Sequence, residues 1–275
     1  MILERTLELI LQIYKYRKIL PPKVTKIVVG LGYTGVELSA LAYNPFLGVA
    51  QTLPNIIHTT DCSKINFAGK LTENSYIELM KWSLGSPSLQ KIIGIATLNA
   101  ASQHILAIIN PYDELKQNLV EYLKVNKNTR INFIGFFSPL IKQLMVITNH
   151  IIIVDNNILL QQHSNGLNIK KDVKELNKRD LDCDILFCSG TSLINDSLED
   201  ILAIFKEHAK FIIVLGPTVS FIPDVLFDYG VDIVGGMQII NSNAVLQIIQ
   251  EGGGTKLFKR FGKKYNLVKA NFSSS

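Results

Sequence analysis

The chain has 275 residues, 47% of them hydrophobic, and a mean hydropathy of +0.23. This length suffices for one large domain or two small ones, and no apolar run reaches the roughly 18 residues of a membrane helix, so the apolar excess is assigned to buried sheets. The formal net charge is only +5, and three cysteines are too few for a disulfide framework, which predicts a cytoplasmic protein.

The amino-terminal segment, ILERTLELILQIYKYRKIL, has helical periodicity. Glu4 and Glu8 interrupt its apolar region and no small-residue cleavage site follows, so a signal peptide is not expected. We predict an amphipathic helix that packs on the protein, with a membrane-surface helix as the alternative. The apolar residues at the spacing of one helix face are Leu3, Leu7, Ile10, Leu11 and Tyr14.

The next segment contains the pattern G-x-G-x-x-G at Gly30, Gly32 and Gly35. In dinucleotide-binding proteins this pattern leads into a full helix, whose amino terminus faces a pyrophosphate. Here the glycines are followed by the alternating residues Val-Glu-Leu-Ser, and an Asn-Pro pair closes the segment too early for such a helix. The sequence therefore predicts a β-hairpin that turns at residues 31–34, a third strand over FLGVAQTL, and no ordinary NAD site.

A helical segment follows, with Ser86 as a candidate N-cap and Pro87 at the first helical position. The apolar residues of SLQKIIGIATLNAASQHIL recur at helical spacing. Asn99 lies inside this apolar helix, and a buried amide needs hydrogen-bond partners. We therefore expect Asn99 either to contact a ligand or to bond neighbouring backbone.

A domain boundary is predicted near Pro111. The meander and helices before it form a small α+β unit over residues 1–110. Residues 111–275 open with a predicted helix from Asp113 to Lys124. Helical segments then alternate with the apolar runs INFIGFF, IIIVD, CDILFC, FIIVLG and VDIVGG, which indicates a doubly wound parallel sheet. The predicted fold is α/β, with a Rossmann-like sheet domain preceded by a smaller α+β domain.

Two loops at the carboxyl ends of predicted strands form the candidate ligand site. SGTSLINDS follows CDILFC and GPTVS follows FIIVLG, and ligands bind at this edge of open α/β sheets. Hydroxyls and backbone amides there can bind an anion, with turn and cap duty as the alternative. Asp196 and Glu199 resemble a capping pair, so at least one of these carboxylates is expected to be structural. The candidate ligand-binding residues of the two loops are Thr191, Ser192, Asn195, Gly216, Thr218 and Ser220.

A further ligand-binding candidate, Asp155, ends the predicted strand IIIVD. It stands twenty residues after Gly135, the spacing at which an acid meets the ribose of a dinucleotide. The loop after Gly135, however, reads Phe-Phe-Ser-Pro, and its rings replace the glycines that would admit a pyrophosphate. We expect a Rossmann-like sheet without ordinary dinucleotide binding.

One compact mixed cluster of metal donors occurs, at His58, Asp61 and Cys62. These side chains could serve a transition metal, but their spacing matches no strong ligand motif, and a polar loop is the alternative. Cys183 and Cys188 are five positions apart on one predicted strand, so they point to opposite faces and are expected in the core.

The basic tail, KLFKRFGKKYNLVK at residues 256–269, holds six basic residues and no acidic one. Its interleaved aromatic rings resemble a nucleic-acid patch. No other basic cluster supports that interpretation, so we predict a terminal strand with solvated lysines and inward apolar side chains, and no nucleic-acid partner.

Several blocks together resemble a known family. GIATLNA, INFIGFFSPL, CSGTSLINDSLEDIL, VLGPTVSFIPDVLFDYGVDIVGG and EGGG, in this order over nearly the whole chain, are similar to the family named "putative heavy-metal chelation". The resemblance implies an enolase amino-terminal-like domain joined to a Rossmann-like domain, with a site between the two and a role in metal chelation.

Two functions follow as hypotheses. The first, implied by the resemblance, is binding of a small anionic molecule or metal complex in the cleft between the domains, with any metal held mainly by the ligand. The second is a transferase or lyase acting on a small phosphorylated or pterin-like compound, with Asp155 or Asp196 as acid or base. The sequence has neither a G-x-S-x-G elbow nor an H-E-x-x-H pair, which favours binding over catalysis. Whether the chain forms a homo-oligomer stays open.

Overall fold

The computed structural model describes residues 1–41, 43–57, 68–157 and 167–269. Its helices are α1 (Ile2–Tyr16), α2 (Tyr76–Lys81), α3 (Leu89–Ile108), α4 (Leu119–Tyr122), α5 (Ser138–Met145), α6 (Lys178–Leu181), α7 (Leu198–Phe205), α8 (Asp224–Asp228), α9 (Ser242–Gln250) and α10 (Thr255–Phe258). Its strands are β1 (Lys23–Val29), β2 (Tyr33–Ser39), β3 (Phe46–Gln51), β4 (Asp113–Glu114), β5 (Ile131–Ile134), β6 (Ile151–Val154), β7 (Asn168–Lys170), β8 (Cys183–Ser189), β9 (Ala209–Leu215), β10 (Ile233–Ile239) and β11 (Gly262–Val268).

The small sheet is antiparallel in the order β1-β2-β3, which confirms the predicted hairpin and third strand. The backbone N–H of Gly30 donates to the carbonyl of Tyr33 at 2.9 Å and closes the turn. A Cβ at Gly30 would lie 2.2 Å from the carbonyl oxygen of Ile249, and one at Gly35 would lie 3.0 Å from the side chain of Leu246. These glycines of the G-x-G-x-x-G pattern thus allow the hairpin to pack directly on α9.

Helix α3 lies between the two sheets, and almost every residue from Leu89 to Ile105 is buried. Its N-cap is Ser88, whose Oγ accepts a backbone hydrogen bond at 3.2 Å, and not the predicted Ser86 two positions earlier. The small sheet approaches the helix at backbone distance, since a Cβ at Gly48 would lie 2.0 Å from the carbonyl oxygen of Ala96. The helix therefore has no solvated face, which explains why its sequence is apolar all round.

The connection after α3 differs from the prediction. The helix expected from Asp113 to Lys124 is wrong, because this segment forms the short strand β4 followed by the single turn α4. Asp113 pairs with Val268 and Glu114 pairs with Leu267, both in β11. This pairing with a strand about 150 residues away along the chain overrides local helix propensity.

The large sheet has the order β4-β11-β10-β9-β8-β5-β6-β7. Each of the strands β5 to β10 is parallel to its neighbours in this group. Strand β11 pairs antiparallel with both β10 and β4. Read from β7 to β10, the parallel part has the order 3-2-1-4-5-6 of dinucleotide-binding sheets, which confirms the Rossmann-like prediction. The order reverses between β5 and β8, so the loops after these two strands lead to opposite sides of the sheet.

Both faces of the large sheet are covered. Helices α4 and α5 pack on one face, against Phe133, Ile153 and Phe187. On the other face α1, α3 and α7 share one hydrophobic cluster with Leu186 and Val214. The helices of the first 110 residues therefore complete the core of the large sheet.

The predicted terminal strand covers only the second half of the basic tail, because Thr255–Phe258 form α10 and Lys259–Phe261 a 3₁₀ turn; residues 262–268 form β11. Strand β11 pairs along its whole length with β10, burying Tyr265 and Leu267 and exposing Lys263 and Lys264. Helix α1 is likewise the predicted amphipathic helix, with its apolar face against the protein. Of the helices that the structure describes, none is long and apolar enough to cross a membrane.

His104 lies buried near the end of α3. The hydroxyl of Tyr14 is 2.9 Å from its Nδ1, and the rings of Tyr14, Tyr43 and Phe46 surround it at centroid distances of 5.7, 5.9 and 5.0 Å. Burial lowers the pKa of His104 below its ordinary value of 6.5. The imidazole is therefore neutral in the folded protein at neutral pH.

We predict that the Gly30→Ala variant loses roughly 1–3 kcal/mol of unfolding free energy, because the new methyl group would overlap the carbonyl of Ile249. Urea unfolding measures the loss. Gly85→Ala is the matched control, since a Cβ there meets its nearest atom at 3.5 Å, an ordinary contact. Equal losses in the two variants would show that close packing on α9 is not what Gly30 provides.

A second prediction concerns acid stability. His104 has a lower pKa in the folded chain than in the unfolded one, so protonation favours the unfolded state. The contribution of the neutral imidazole to the unfolding free energy is therefore fully present above pH 6.5 and is lost as the pH falls below that value. His104→Phe should remove this dependence. Urea unfolding at several pH values between 7.5 and 5 tests it, and parallel curves for the wild type and the variant would contradict it.

Candidate functional site

The candidate site lies where the strand order reverses, at the carboxyl ends of β5 and β8. Gly135 follows β5 with a φ of +99°, a conformation that favours glycine. A Cβ at this position would lie 2.9 Å from the Cβ of Ser189, the last residue of β8. The two loops therefore touch at this pair, at the switch point where sheets of this strand order are expected to have their ligand crevice.

Hydroxyl groups line the β8 side of this crevice. Ser189 Oγ accepts the backbone N–H of Thr191 at 3.3 Å and lies 2.8 Å from Thr191 Oγ1. Both residues are half-buried. Since a hydroxyl offers one donor and two acceptor positions, the pair keeps hydrogen-bonding capacity for a ligand.

The other candidates of the SGTSLINDS loop have inward or local contacts. Ser192 is buried, with Oγ 3.6 Å from Cys188 Sγ, so it faces the core and not the crevice. Asn195 is exposed, and its Oδ1 accepts from the backbone N–H and the hydroxyl of Ser197 at 3.2 and 2.7 Å. Thr191 thus lies beside Ser189 at the end of β8, and Ser192 lies in the core behind it.

Asp196 connects this loop to the first part of the chain. Its backbone has a φ of +62°, and its carboxylate forms an ion pair with Lys91, which is only 2% exposed. Glu199 Oε1 accepts the backbone N–H of Ile2 at 2.7 Å. The predicted Asp196–Glu199 capping pair is wrong, because α7 begins after Ser197 and both carboxylates bind groups from outside the loop.

The structure brings Asn99 to the 216–220 loop. Asn99 Nδ2 donates to the carbonyls of Val49, Thr218 and Pro217 at 2.9, 3.0 and 3.3 Å. One amide nitrogen therefore links α3, the small sheet and a loop of the large sheet. These carbonyls are buried with the side chain, so their hydrogen bonds to Asn99 stabilise the fold, whether or not Asn99 also contacts a ligand.

Thr218 and Ser220 belong to the same buried network. Thr218 Oγ1 accepts the N–H of Gln51 at 3.1 Å, and Ser220 Oγ donates to the carbonyl of Pro217 at 2.9 Å and accepts the N–H of Met237 at 3.0 Å. Gln103 Nε2 donates to the carbonyl of Ser220 at 2.7 Å and to the hydroxyl of Tyr265 at 2.9 Å. We call the set the polar seam: Asn99, Gln103, Thr218, Ser220 and Tyr265.

Two polar atoms beside the polar seam are not bonded. Asn99 Oδ1 and Ser102 Oγ are buried and have no hydrogen-bond partner among the described residues. They stand three residues apart, on the same face of α3. A buried unpaired acceptor costs about 1–3 kcal/mol, so a bound water molecule is expected to bond them in solution.

Gly216 and Asp155 lie at the same edge of the sheet. Gly216 has a φ of +128° and open space where a Cβ would stand. Asp155 follows β6, one strand beyond β5, is half-buried, and accepts the backbone N–H of Asn157 at 2.9 Å. With strands about 4.8 Å apart, Asp155 lies on the order of 10 Å from Ser189 across the end of β5.

The described residues do not form a protein-only metal site. No group of three or more His, Cys, Asp or Glu side chains among them could hold a metal ion. Burial raises the thiol pKa of both Cys183 and Cys188 to about 12, so neither supplies a thiolate. The predicted cluster of His58, Asp61 and Cys62 lies outside the described residues.

Sequence reasoning missed two parts of this region. Gln103 and Tyr265 are polar groups of the seam that lie 162 positions apart, which no local pattern connects. Lys91 gave the clearest signal, because it is a lysine inside an apolar helix that has no solvated face.

Two family models match the chain. One, DUF364, covers residues 118–268, the other, DUF4213, covers residues 17–102, and both are described as "Putative heavy-metal chelation". An uncharacterized protein of Methanocaldococcus jannaschii is 25% identical over 183 residues, which span 65% of this chain and 66% of that relative. The match thus covers slightly less than two thirds of that protein.

Two solved structures have the same fold. A DUF364 protein of unknown function from Pyrococcus horikoshii matches with a TM-score of 0.77 and 22% identity, over 98% of this chain and 100% of that one. Another, from Desulfitobacterium hafniense, matches with a TM-score of 0.72 and 16% identity, over 95% of this chain and 100% of that one. At these identities the likeness shows the fold alone.

The polar seam predicts a graded loss of stability. Asn99→Ala leaves the carbonyls of Val49 and Thr218 without this donor and should cost roughly 1–3 kcal/mol of unfolding free energy. Asn99→Asp should cost more, because a carboxylate of the same shape would face those carbonyl oxygens. Thr191→Val, at the half-exposed crevice, should change stability by less than about 1 kcal/mol.

Urea unfolding of the three variants measures these differences. A Thr191→Val loss as large as that of Asn99→Ala would place Thr191 in the structural network. An Asp variant as stable as the wild type would show that Asn99 is not a donor.

Proposed function

The chain belongs to the DUF364 family, described as "Putative heavy-metal chelation", since that model matches more than half of it, and on this premise we propose that it binds a small anionic chelate of a heavy metal. The proposed site is the crevice at the carboxyl ends of β5 and β8. The observation that carries the proposal is the half-buried hydroxyl pair of Ser189 and Thr191 at the point where the strand order reverses.

Hydrogen-bond donors at the crevice suit the anionic part of such a ligand. Ser189 and Thr191 can donate from their hydroxyls, and the backbone amides at the start of α5 follow directly after β5. The amino terminus of a helix attracts negative charge, and α5 occupies the place of the phosphate-binding helix in sheets of this order. Carboxylates of a chelating ligand are the matching chemistry.

A chelate is favoured over a bare ion by the donor set. Among the residues described, no group of three metal-binding side chains exists, so the ligand would supply most of the coordination. Asp155, about 10 Å from the hydroxyl pair, would add one hard oxygen donor or a hydrogen-bond acceptor at the far end of a small chelate. Asn195 and Gly216 complete the proposed contacts at the rim.

The polar seam has a supporting role in this proposal. Asn99, Thr218 and Ser220 bond to backbone groups of three different segments and hold the 216–220 loop beside the crevice. Ser192 supports the same edge from the core side. We therefore assign these four candidates to loop placement and the crevice residues to ligand contact.

The enzymatic alternative gains no support from these contacts. Asp196, one of its two candidate acid–base residues, is ion-paired with Lys91. This contact occupies the carboxylate of Asp196. A transferase or lyase would then depend on Asp155 alone.

Elemental analysis with native mass spectrometry of the purified protein tests whether it retains a metal and a small molecule together. Equilibrium dialysis with Ni²⁺ then serves as a probe, with and without citrate. We expect binding only with citrate, because citrate supplies the donors that the described residues lack. Equal affinity for Ni²⁺ without citrate would contradict the proposal.

Thr191→Val should weaken nickel–citrate binding about tenfold, since one hydrogen bond to a charged ligand contributes roughly 1.5–3 kcal/mol. Thr25→Val, which removes the same hydroxyl from an exposed position on β1, is the matched control and should bind as the wild type. Equal affinities of the Thr191 variant and the wild type would place the ligand elsewhere.

A further inference from the structure

Lys91 is a buried cation at the junction of the two parts of the chain. It is 2% exposed and lies in the first turn of α3. Its Nζ donates to the carboxylate of Asp196 and to the carbonyl of Gly85, the latter at 3.0 Å. Burying an unpaired ammonium is costly, and here the carboxylate of Asp196 and the carbonyl of Gly85 together compensate the charge.

The partner, Asp196, belongs to the loop that carries the proposed ligand contacts. Its φ of +62° is uncommon for a residue other than glycine and is maintained here by the attachment to Lys91. The loop is otherwise closed by two local backbone bonds, from Ile194 N to Thr191 O at 2.9 Å and from Ser197 N to Ser192 O at 3.0 Å. The ion pair is thus a strong long-range restraint on this loop.

A small cavity adjoins the ion pair. It measures about 40 Å³ and is lined by groups that include Ser83, Lys91, Ser192, Asp196 and Glu199. A water molecule needs roughly 10–15 Å³ on this measure, whereas ligand pockets measure roughly 300–1,000 Å³. The cavity therefore has room for water but not for a chelate, so Lys91 acts on the ligand site through Asp196 and not by direct contact.

We propose that Lys91 is a positioning residue: its ion pair with Asp196 fixes the 189–196 loop in its ligand-binding conformation and couples that loop to α3. Its effect on affinity rests on the proposed function, whereas its effect on the loop does not. Because the two equilibria are coupled, a ligand that orders the loop must also strengthen the ion pair. Helix α3 would then change the affinity of a ligand site that it does not itself line.

Hydrogen exchange at the amides of Ile194 and Ser197 tests the loop directly in the full chain. Lys91→Met and Asp196→Asn should each speed exchange at both amides at least tenfold, because either change removes the ion pair. Asparagine also tolerates the positive φ, so Asp196→Asn isolates the charge. It also provides the test if the lysine variant fails to fold.

Two controls separate positioning from general stability. Arg5→Met breaks the exposed Arg5–Asp228 ion pair of 2.6 Å, which joins α1 to α8 away from the loop. Leu246→Ala opens the core between the small sheet and α9, in a hydrophobic cluster without any residue of the loop, and lowers the melting temperature. Neither control should change exchange at Ile194 and Ser197 relative to the other loops of the large sheet.

Nickel–citrate dialysis of the same variants gives the second measurement. Asp196→Asn should weaken binding at least tenfold, and Leu246→Ala should not. Unchanged exchange in Lys91→Met or Asp196→Asn, or equal acceleration in either control, would overturn the positioning role. Faster exchange in both loop variants, with no nickel–citrate binding by the wild type, would retain the positioning role and reject the proposed function.

Discussion

The rest of the structure depends on the amide of Asn99, which donates to carbonyls of β3 and of the 216–220 loop at once. Helix α3 has no solvated face, so every polar group on it must be bonded inside the protein. The amide nitrogens of Asn99 and Gln103 meet this constraint by bonding the backbone of the large sheet's loops, whereas Asn99 Oδ1 has no partner among the described residues. The amino-terminal part of the chain is thereby attached at the sheet edge where ligands bind in such folds.

This attachment divides the carboxyl edge of the sheet into two regions. Near β9 and β10 the polar seam occupies the hydroxyls of Thr218 and Ser220 with backbone partners. Near β5 and β8, where the strand order reverses, Ser189 and Thr191 bond mainly to each other and keep capacity for a ligand. Under the proposed function, the polar seam supports the 216–220 loop, and the end of β5 and β8 provides the ligand contacts.

Much of this fold could be predicted from the sequence, because apolar runs and their bounding loops are local signals. The hairpin at Gly30 was predictable for the same reason: an alternating strand, and no helix, follows its glycines. The helix expected at residues 113–124 failed because β4 pairs with β11, which local propensity cannot reveal. The roles of Ser192 and Thr218 could not be assigned either, since burial of a hydroxyl depends on residues far away in the chain.

The donor chemistry decides what kind of metal handling this fold could perform. A bare heavy metal ion requires several soft or imidazole donors at fixed distances, whereas burial keeps the described cysteines, Cys183 and Cys188, protonated. A chelate brings its own donors and presents carboxylate oxygens, which hydroxyls and helix amides recognise by hydrogen bonds. Selection would then depend on the charge and shape of the complex, so that one crevice could accept several metals in the same chelating ligand.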